Sequence, residues 1–381
     1  MAEALAVSVV ESRADWRDFI ALPKRLYKGH AGYVAHLDIE RRDTFSPSKN
    51  PYFSHARARF WLARRDGRVV GRISAQIDQA YLDRYADSTG HFGCLDAEDD
   101  PEVYAALLDA AETWLRGEGM VRATGPFSLS INEEVGLMIE GFDRRSMLLV
   151  PYHPRYAQAR VESLGYAKIK DVLSYDYDVV NAPRTLGRKL IERGGIAERV
   201  KVRTVDMKRF DAEVRTLLDI FNDAWADNWG YVPFTEAEIA SAVKTLKPVV
   251  IPKLAVFVGV DGETVAFIVA LANLNEAIRD LDGRLLPFGW AKLAWRLFVD
   301  KPRTARVPLM GVRKKFRNHP LLGAGLAMIA IDELRENGKG LGKTFAELGW
   351  ILEDNKATNN IIKSVGGKVH KVHRIYEKAL A

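Results

Sequence analysis

The stretch Val256-Phe-Val-Gly-Val-Asp261-Gly262-Glu-Thr-Val-Ala-Phe-Ile268 decides the fold, because it has a counterpart 195 residues earlier, Phe60-Trp-Leu-Ala-Arg-Arg-Asp66-Gly67-Arg-Val-Val-Gly-Arg-Ile73. In both, β-branched and aromatic residues flank Asp-Gly. That dipeptide tolerates the positive φ angles of a type I′ turn, so each stretch predicts a β-hairpin. A second pair lies at an offset of 201: Glu162-Ser-Leu-Gly165-Tyr-Ala-Lys-Ile169 and Lys363-Ser-Val-Gly366-Gly-Lys-Val-His370. Each reads as a helix closed by a C′ glycine and followed by a strand.

Between hairpin and terminal strand, each copy carries a long amphipathic helix. Val103, Leu107, Ala110, Ala111 and Trp114 recur at helical spacing after Pro101. Leu322, Leu326, Ile329, Ala330 and Leu334 do so after Pro320, with Asn337-Gly338 as the expected stop. Order and spacing predict an α/β protein of two fused domains with mixed sheets flanked by helices, residues 1–185 and 195–381. The boundary falls in Asn181–Ala197, after a last strand Tyr175–Val180. Insertions distinguish the copies: Leu129–His153 in the first, Arg279–Arg306 in the second.

The 381 residues suffice for two or three domains, and 48% hydrophobic with 28% charged residues is a globular balance. A single cysteine, Cys94, excludes a disulfide scaffold. No apolar run reaches the roughly 18 residues of a spanning helix. The opening Met-Ala-Glu-Ala-Leu has an acid where a signal peptide is basic, so the expected location is cytoplasmic. A net charge of +6 is too small to argue for nucleic acid, and no such partner is expected. Distribution says more: from Arg284 to Arg317 there are ten basic residues and one acid, Asp300.

The second copy runs from strand Arg306–Val312 into a basic loop, Arg313–His319, and then a helix with Gly323 and Gly325 in its first turn. Free backbone N–H groups, glycines permitting close approach, and the cations Arg313, Lys314, Lys315 and Arg317 predict a site for a phosphate-rich ligand. Followed by Gly349-Trp-Ile-Leu-Glu-Asp-Asn355 and a terminal strand with Arg374-Ile-Tyr376-Glu, this order resembles the GNAT superfamily of acyl-CoA N-acyltransferases. The resemblance covers Lys253–Lys378 most fully and Phe60–Tyr177 more faintly. It implies an acyl-CoA or acyl carrier protein thioester as substrate and no permanently bound cofactor. The donor contacts it implies are Gly311, Val312, Arg313, Lys315, Arg317, Gly323, Gly325 and Asn355. The family's Arg/Gln-x-x-Gly-x-Gly/Ala would start at Arg317, but here the glycines arrive three residues late, and the family's tyrosine seven residues beyond the Asn falls on Ile362.

The segment Phe221-Asn-Asp-Ala-Trp-Ala-Asp-Asn-Trp-Gly-Tyr-Val-Pro233, the insertion Gly283-Arg-Leu-Leu-Pro-Phe-Gly-Trp290 and the Gly349–Asn355 run together resemble a bacterial GNAT-like group. That group includes the bacterial ceramide synthases, which acylate the amine of a sphingoid base. The resemblance implies transfer of a long-chain acyl group to such an amine. Two alternatives stay open: an N-acetyltransferase using acetyl-CoA on a small-molecule or peptide amine, and a non-catalytic acyl-CoA- or lipid-binding protein.

Glu347 is a lone carboxylate on the predicted strand Lys343–Leu352, either an ion-paired core residue or a general base. His319 and Asp354 are further catalytic candidates, each with a plainer reading as a helix cap. Asn222, Trp225, Asn228 and Trp229 sit at helical spacing, as core or as an acceptor groove whose amides need partners. Asn132 and Glu133, in the first-copy insertion, read as a turn or as an acidic rim receiving a cationic amine. His370 and His373 read as basic surface, since no motif completes a metal set. Finally, Trp290, Leu293, Ala294, Leu297 and Phe298 form one apolar stripe over Pro287–Val299 with basic flanks, which predicts a helix lying on an anionic membrane through Trp290, Leu297 and Phe298.

Overall fold

The computed structural model describes residues 4–247, 250–319 and 321–380. Two compact units emerge, each discontinuous in sequence. The first comprises Met1–Val172, Ala277–Trp295 and Lys371–Ala381, and the second Leu173–Glu276 and Arg296–His370. A single cut in Asn181–Ala197 does not separate them, and that segment itself contains a helix, Gly187–Arg193.

In the first unit, strands β1 (Leu5–Val9), β2 (Ala56–Arg65), β3 (Arg68–Asp78), β4 (Thr89–Ala97) and β5 (Arg122–Gly125) lie in that order. The chain's C-terminal strand then pairs antiparallel with β5, Tyr376 opposite Gly125. The β2–β3 hairpin turns on Asp66 and Gly67, with φ of 49° and 78°, as the Asp-Gly reading requires. Helix α1 (Arg13–Leu26) starts in a capping box between Ser12 and Asp15. Helix α2 (Pro101–Gly117) buries Val103, Leu107, Ala111 and Leu115, and each such leucine contributes about 1.5–3 kcal/mol. Helix α3 (Tyr156–Ser163) stops just before Gly165, whose φ is 85°.

The second-copy insertion is fastened here. The amide of Asp38 donates to the carbonyl of Gly283 at 2.9 Å, and Lys24 pairs with Asp38 at 2.7 Å. The helix expected over Pro287–Val299 is shorter, Gly289–Trp295, and continues as a π turn over Arg296–Asp300. Leu293, Ala294 and Leu297 of the expected stripe are half-buried. The exposed apolar side chains are instead Leu286, Phe288, Trp290, Trp295, Phe298 and Val299, all 56% accessible or more.

The second unit has strands β6 (Ala167–Asp178, from Leu173 onward), β7 (Val200–Thr204), β8 (Ala255–Val260), β9 (Glu263–Ala272), β10 (Thr304–Val312) and β11 (Phe345–Leu352), in the order β7-β8-β9-β10-β11-β6. Strands β7 to β10 are antiparallel neighbours, while β10 and β11 are parallel, so the sheet is mixed. Asp261 and Gly262, with φ of 53° and 85°, turn the β8–β9 hairpin. Helix α4 is Gly187–Arg193, α5 is Phe210–Trp225, α6 is Leu322–Gly340 and α7 is Lys356–Ser364. A parallel pair needs a crossover, and α6 supplies it between β10 and β11. It runs through the expected stop at Asn337-Gly338, because Gly338 is buried beside Val179 and Lys343, so packing overrides its low propensity. Pro320, expected to open this helix, lies outside the described residues.

Candidate functional site

Strands β10 and β11 pair only from Thr304–Phe345 to Val307–Leu348. Pro308 follows, with no N–H to give a ladder, and β10 also shifts register against β9 between Arg306 and Leu309. Beyond it the facing edges of the two strands, Met310 to Val312 and Gly349 to Leu352, line a cavity of about 820 Å³. Helices α6 and α7 form its other wall. Its mouth lies at the C-terminal ends of the parallel strands and the start of α6, where open α/β sheets place ligands.

Much of the lining is core: Ile268, Ala305, Val307, Ala327, Leu334 and Leu348 belong to the unit's main hydrophobic cluster. The cavity opens to the surface at its mouth, so these apolar walls enclose a space that a ligand can enter. Its inner end is polar. Lys343 donates to the Pro302 carbonyl and Arg335 to that of Ala182. The Tyr177 hydroxyl and Arg335 Nε are buried there without a partner among the described residues. Burial pushes the Lys343 ammonium down and the Tyr177 phenol up, to about 12.

Of the expected donor contacts, Gly311, Val312, Arg317, Gly323 and Asn355 line the cavity. A Cβ at Gly323 would come within 2.6 Å of the Arg317 carbonyl oxygen, so only glycine lets α6 start so close to the loop. Asn355 also caps α7 through the Thr358 amide at 3.1 Å. Gly325 instead faces α4, where a Cβ would meet Ile191 at 2.9 Å. Arg313 and Lys315 are also drawn elsewhere, to Asp219 at 2.6 Å and Glu263 at 2.5 Å, while Lys314 pairs with Asp227 at 2.8 Å. The local positive field expected from sequence is thus largely met by acids on and just after α5 and in the β8–β9 hairpin. Arg317 lines the mouth while bonding the Ala224 carbonyl at 2.5 Å and pairing with Asp227 at 3.3 Å.

His319 lines the mouth, yet its Nδ1 accepts from the Leu321 and Leu322 amides at 3.2 and 3.3 Å, capping α6. Asp354 also lines it. Trp225, Asn228 and Trp229 stand at the same mouth, although α5 ends at Trp225 and the last two follow it in a turn. Trp225 Nε1 donates to the Met310 carbonyl at 3.1 Å. Asn222 turns away and accepts from the Tyr231 hydroxyl at 2.5 Å.

Glu347 does not line this cavity. It is fully buried and, by strand alternation, points to the opposite face of β11 from Ala346 and Leu348. His370 Nε2 lies 2.9 Å from it, and His370 Nδ1 lies 3.9 Å from Asp176. The basic surface expected of the two histidines is not found. His370 is a buried partner of Glu347, and His373, 2% exposed, bonds the Pro151 carbonyl at 3.0 Å. Among the described residues no group of three His, Cys, Asp or Glu side chains is arranged to hold a metal.

Asn132 and Glu133 belong to the first unit. Glu133 accepts from the Leu129 amide at 2.5 Å, and burial pushes its carboxyl up to about 7 against the pull of that amide and of Arg41. Its neighbour Glu134 pairs with Arg41 at 3.2 Å and approaches His36 at 3.4 Å. Burial in turn pushes His36 down.

An α/β chain built twice on this plan, with a cavity entered where two parallel strands separate at a helix start, has the tandem GNAT fold. The tandem GNAT protein of the clavulanic acid biosynthesis pathway matches it with a TM-score of 0.59 over 99% of both chains at 12% identity. A GCN5-related N-acetyltransferase from Sphaerobacter thermophilus matches with 0.56 over 99% of this chain and 96% of that one, at 11% identity. The chain belongs to the bacterial ceramide synthase family: it is 47% identical to "Bacterial ceramide synthase" of Caulobacter vibrioides (strain NA1000 / CB15N) over 377 residues, 99% of this chain and 98% of that protein. Protein YghO of Escherichia coli (strain K12) is 42% identical over 372 residues, 97% of this chain and 94% of the relative. No protein-family profile matches the chain.

Proposed function

We propose that the protein transfers a long-chain acyl group from a thioester, acyl-CoA or acyl carrier protein, to the amine of a sphingoid-type base. The observation that carries this reading is the cavity of about 820 Å³, whose lining runs from a helix start into the hydrophobic core, beyond the outer part that a carrier arm would occupy. The relative named as a bacterial ceramide synthase supports it.

In the proposed reaction the neutral amine attacks the thioester carbonyl where β10 and β11 separate. The new C–N bond forms, the C–S bond breaks, and the thiol leaves with a proton. Glu347, held by His370 behind the gap between the strands, accepts the amine's proton through that gap and gives it up to the departing thiolate, and backbone N–H groups near Gly311 and Val312 polarise the carbonyl. Arg317 and the start of α6 take the donor's phosphates. Trp225, Asn228 and Trp229 guide the acceptor. The exposed apolar segment Leu286–Val299 is proposed to rest on an anionic membrane, the source of the amine, which gives an enzyme that works from the inner face of that membrane. None of the described helices is long and apolar enough to cross one.

The test is incubation of the purified protein with palmitoyl-CoA and sphinganine, with the N-acylated product read by mass spectrometry. Activity confined to acetyl-CoA with polar amines would replace this reading with the acetyltransferase one. Tight thioester binding without product would point to a lipid-binding protein.

A further inference from the structure

We infer that the acyl chain of the donor lies in the inner half of this cavity, along the sheet-facing side of α6, with its end set by a polar wall of Tyr177, Arg335 and Lys343. The inference rests on the long-chain reading above and adds where the chain runs and what limits its length.

The topology gives the cavity a direction. Parallel strands β10 and β11 start at one edge of the sheet, and α6 returns from the other, so its first turn lies at the mouth and its last turn at the floor. Gly323 and Gly338 both line the cavity, and helical rise puts them roughly 22 Å apart. The strands separate after Val307, which fixes the thioester partway along this path. A carrier arm entering past Gly323 and Asn355 occupies the outer part. What remains is the inner part, walled by Ala270, Ala305, Ala327, Ile331, Ala346 and Leu348.

Four of those six are alanines: Ala270, Ala305 and Ala346 from the adjacent strands β9, β10 and β11 of one sheet, and Ala327 from α6, the opposite wall. Small side chains converging from four elements leave the core unfilled where close packing is the rule. These six side chains carry no hydrogen-bonding group, so the occupant that fits against them is a hydrocarbon chain, neither a nucleotide nor a polar amine. At the floor the character changes. Lys343 and Arg335 turn their charged heads to the Pro302 and Ala182 carbonyls, and the Tyr177 hydroxyl is buried beside them. Hydrocarbon pressed on those groups would deny them polar partners, so the chain stops short of them.

The acceptor of the proposed reaction also has a hydrocarbon tail, and the experiment must tell the two apart. Ala327→Phe and Ala346→Ile each fill the inner half from a different wall. Specificity constants for palmitoyl- and octanoyl-CoA are measured with sphinganine held constant, and for sphinganine and a shorter-chain amine with the donor held constant. For both variants, the palmitoyl-to-octanoyl ratio should fall at least about tenfold, while the ratio between the two amines stays within about twofold. If Ala327→Phe does not fold by circular dichroism, Ala346→Ile decides. A shift in the amine ratio instead would assign the channel to the acceptor and overturn the inference, as would two folded variants with an unchanged donor ratio. A wild-type enzyme that accepts only acetyl-CoA would remove the long-chain reading itself, a result visible before any variant is made.

Discussion

His370 Nε2 lies 2.9 Å from a carboxylate oxygen of Glu347, and both side chains are closed off from solvent. A buried contact of this kind serves either as an ion pair that orders the core or as a proton acceptor held ready, and the two roles separate under substitution. Glu347→Gln keeps the hydrogen-bonding shape and removes the charge. Turnover should fall about a hundredfold with the melting temperature within a few degrees of wild type. A large loss of stability with full turnover in the folded fraction would make the pair structural and turn attention to Asp354 at the cavity mouth.

The loop cations divide by what they touch. Arg317 lines the cavity, although it too has an acidic partner, Asp227 at 3.3 Å, whereas Arg313 and Lys315 do not line it and are engaged by Asp219 and Glu263. Arg317→Ala should raise the donor KM about tenfold and leave the acceptor KM nearly unchanged. Arg313→Ala and Lys315→Ala should each change it by about twofold or less, since exposed pairs contribute little. Equal effects from all three, measured by steady-state kinetics, would assign the phosphates to the whole loop.

Leu286, Phe288, Trp290, Trp295 and Phe298 expose their apolar faces on a segment flanked by Arg284, Lys301 and Arg303. Wild-type protein should sediment with anionic liposomes at low salt and be released at high salt, at about 1 kcal/mol per basic residue near the surface. Phe288→Ser/Trp290→Ser/Phe298→Ser should abolish sedimentation while activity on a detergent-solubilised amine survives. Salt-independent binding, or none, would count against the membrane role.

Glu133 predicts a pH dependence of stability. Its carboxyl is raised from an ordinary value of 4.5 to about 7 in the folded chain, so the native state holds this proton where the unfolded chain has lost it. That contribution is complete below about 4.5 and disappears as pH rises through about 7. Thermal melts of Glu133→Gln should lack this decline. A variant that tracks wild type across the whole range would show that the carboxyl is not held protonated.

How far the sequence could be read follows from the range of each interaction. Both Asp-Gly hairpins, the two long helices and the glycine-capped ends are local in origin, and the structure has them where pattern and turn chemistry put them, except that α6 runs past its expected stop at Asn337-Gly338. The strand-loop-helix at Arg306–Gly325 was legible for the same reason. The partners of the basic loop were not, because Asp219 and Asp227 reach it only through folding of α5 against β10. Glu347 stood out as a lone carboxylate, but pairing with His370 requires β11 and the C-terminal strand to be placed together. The alanines of the cavity carried no signal singly; only their convergence makes space. Pro308 was the overlooked clue, since a proline inside a strand announces that a ladder ends there.

The C-terminal strand, which pairs with β5 through Tyr376 and Lys378, has a bearing on how the chain is made. A ribosome delivers residue 122 long before residue 371, so during most of translation the nascent first unit has β5 as an open edge, a template for wrong partners. Expression of residues 1–185 alone freezes that unfinished state. A polypeptide of this design is committed to completing its first half last, and even a short truncation at its C-terminus damages the unit that was synthesised first.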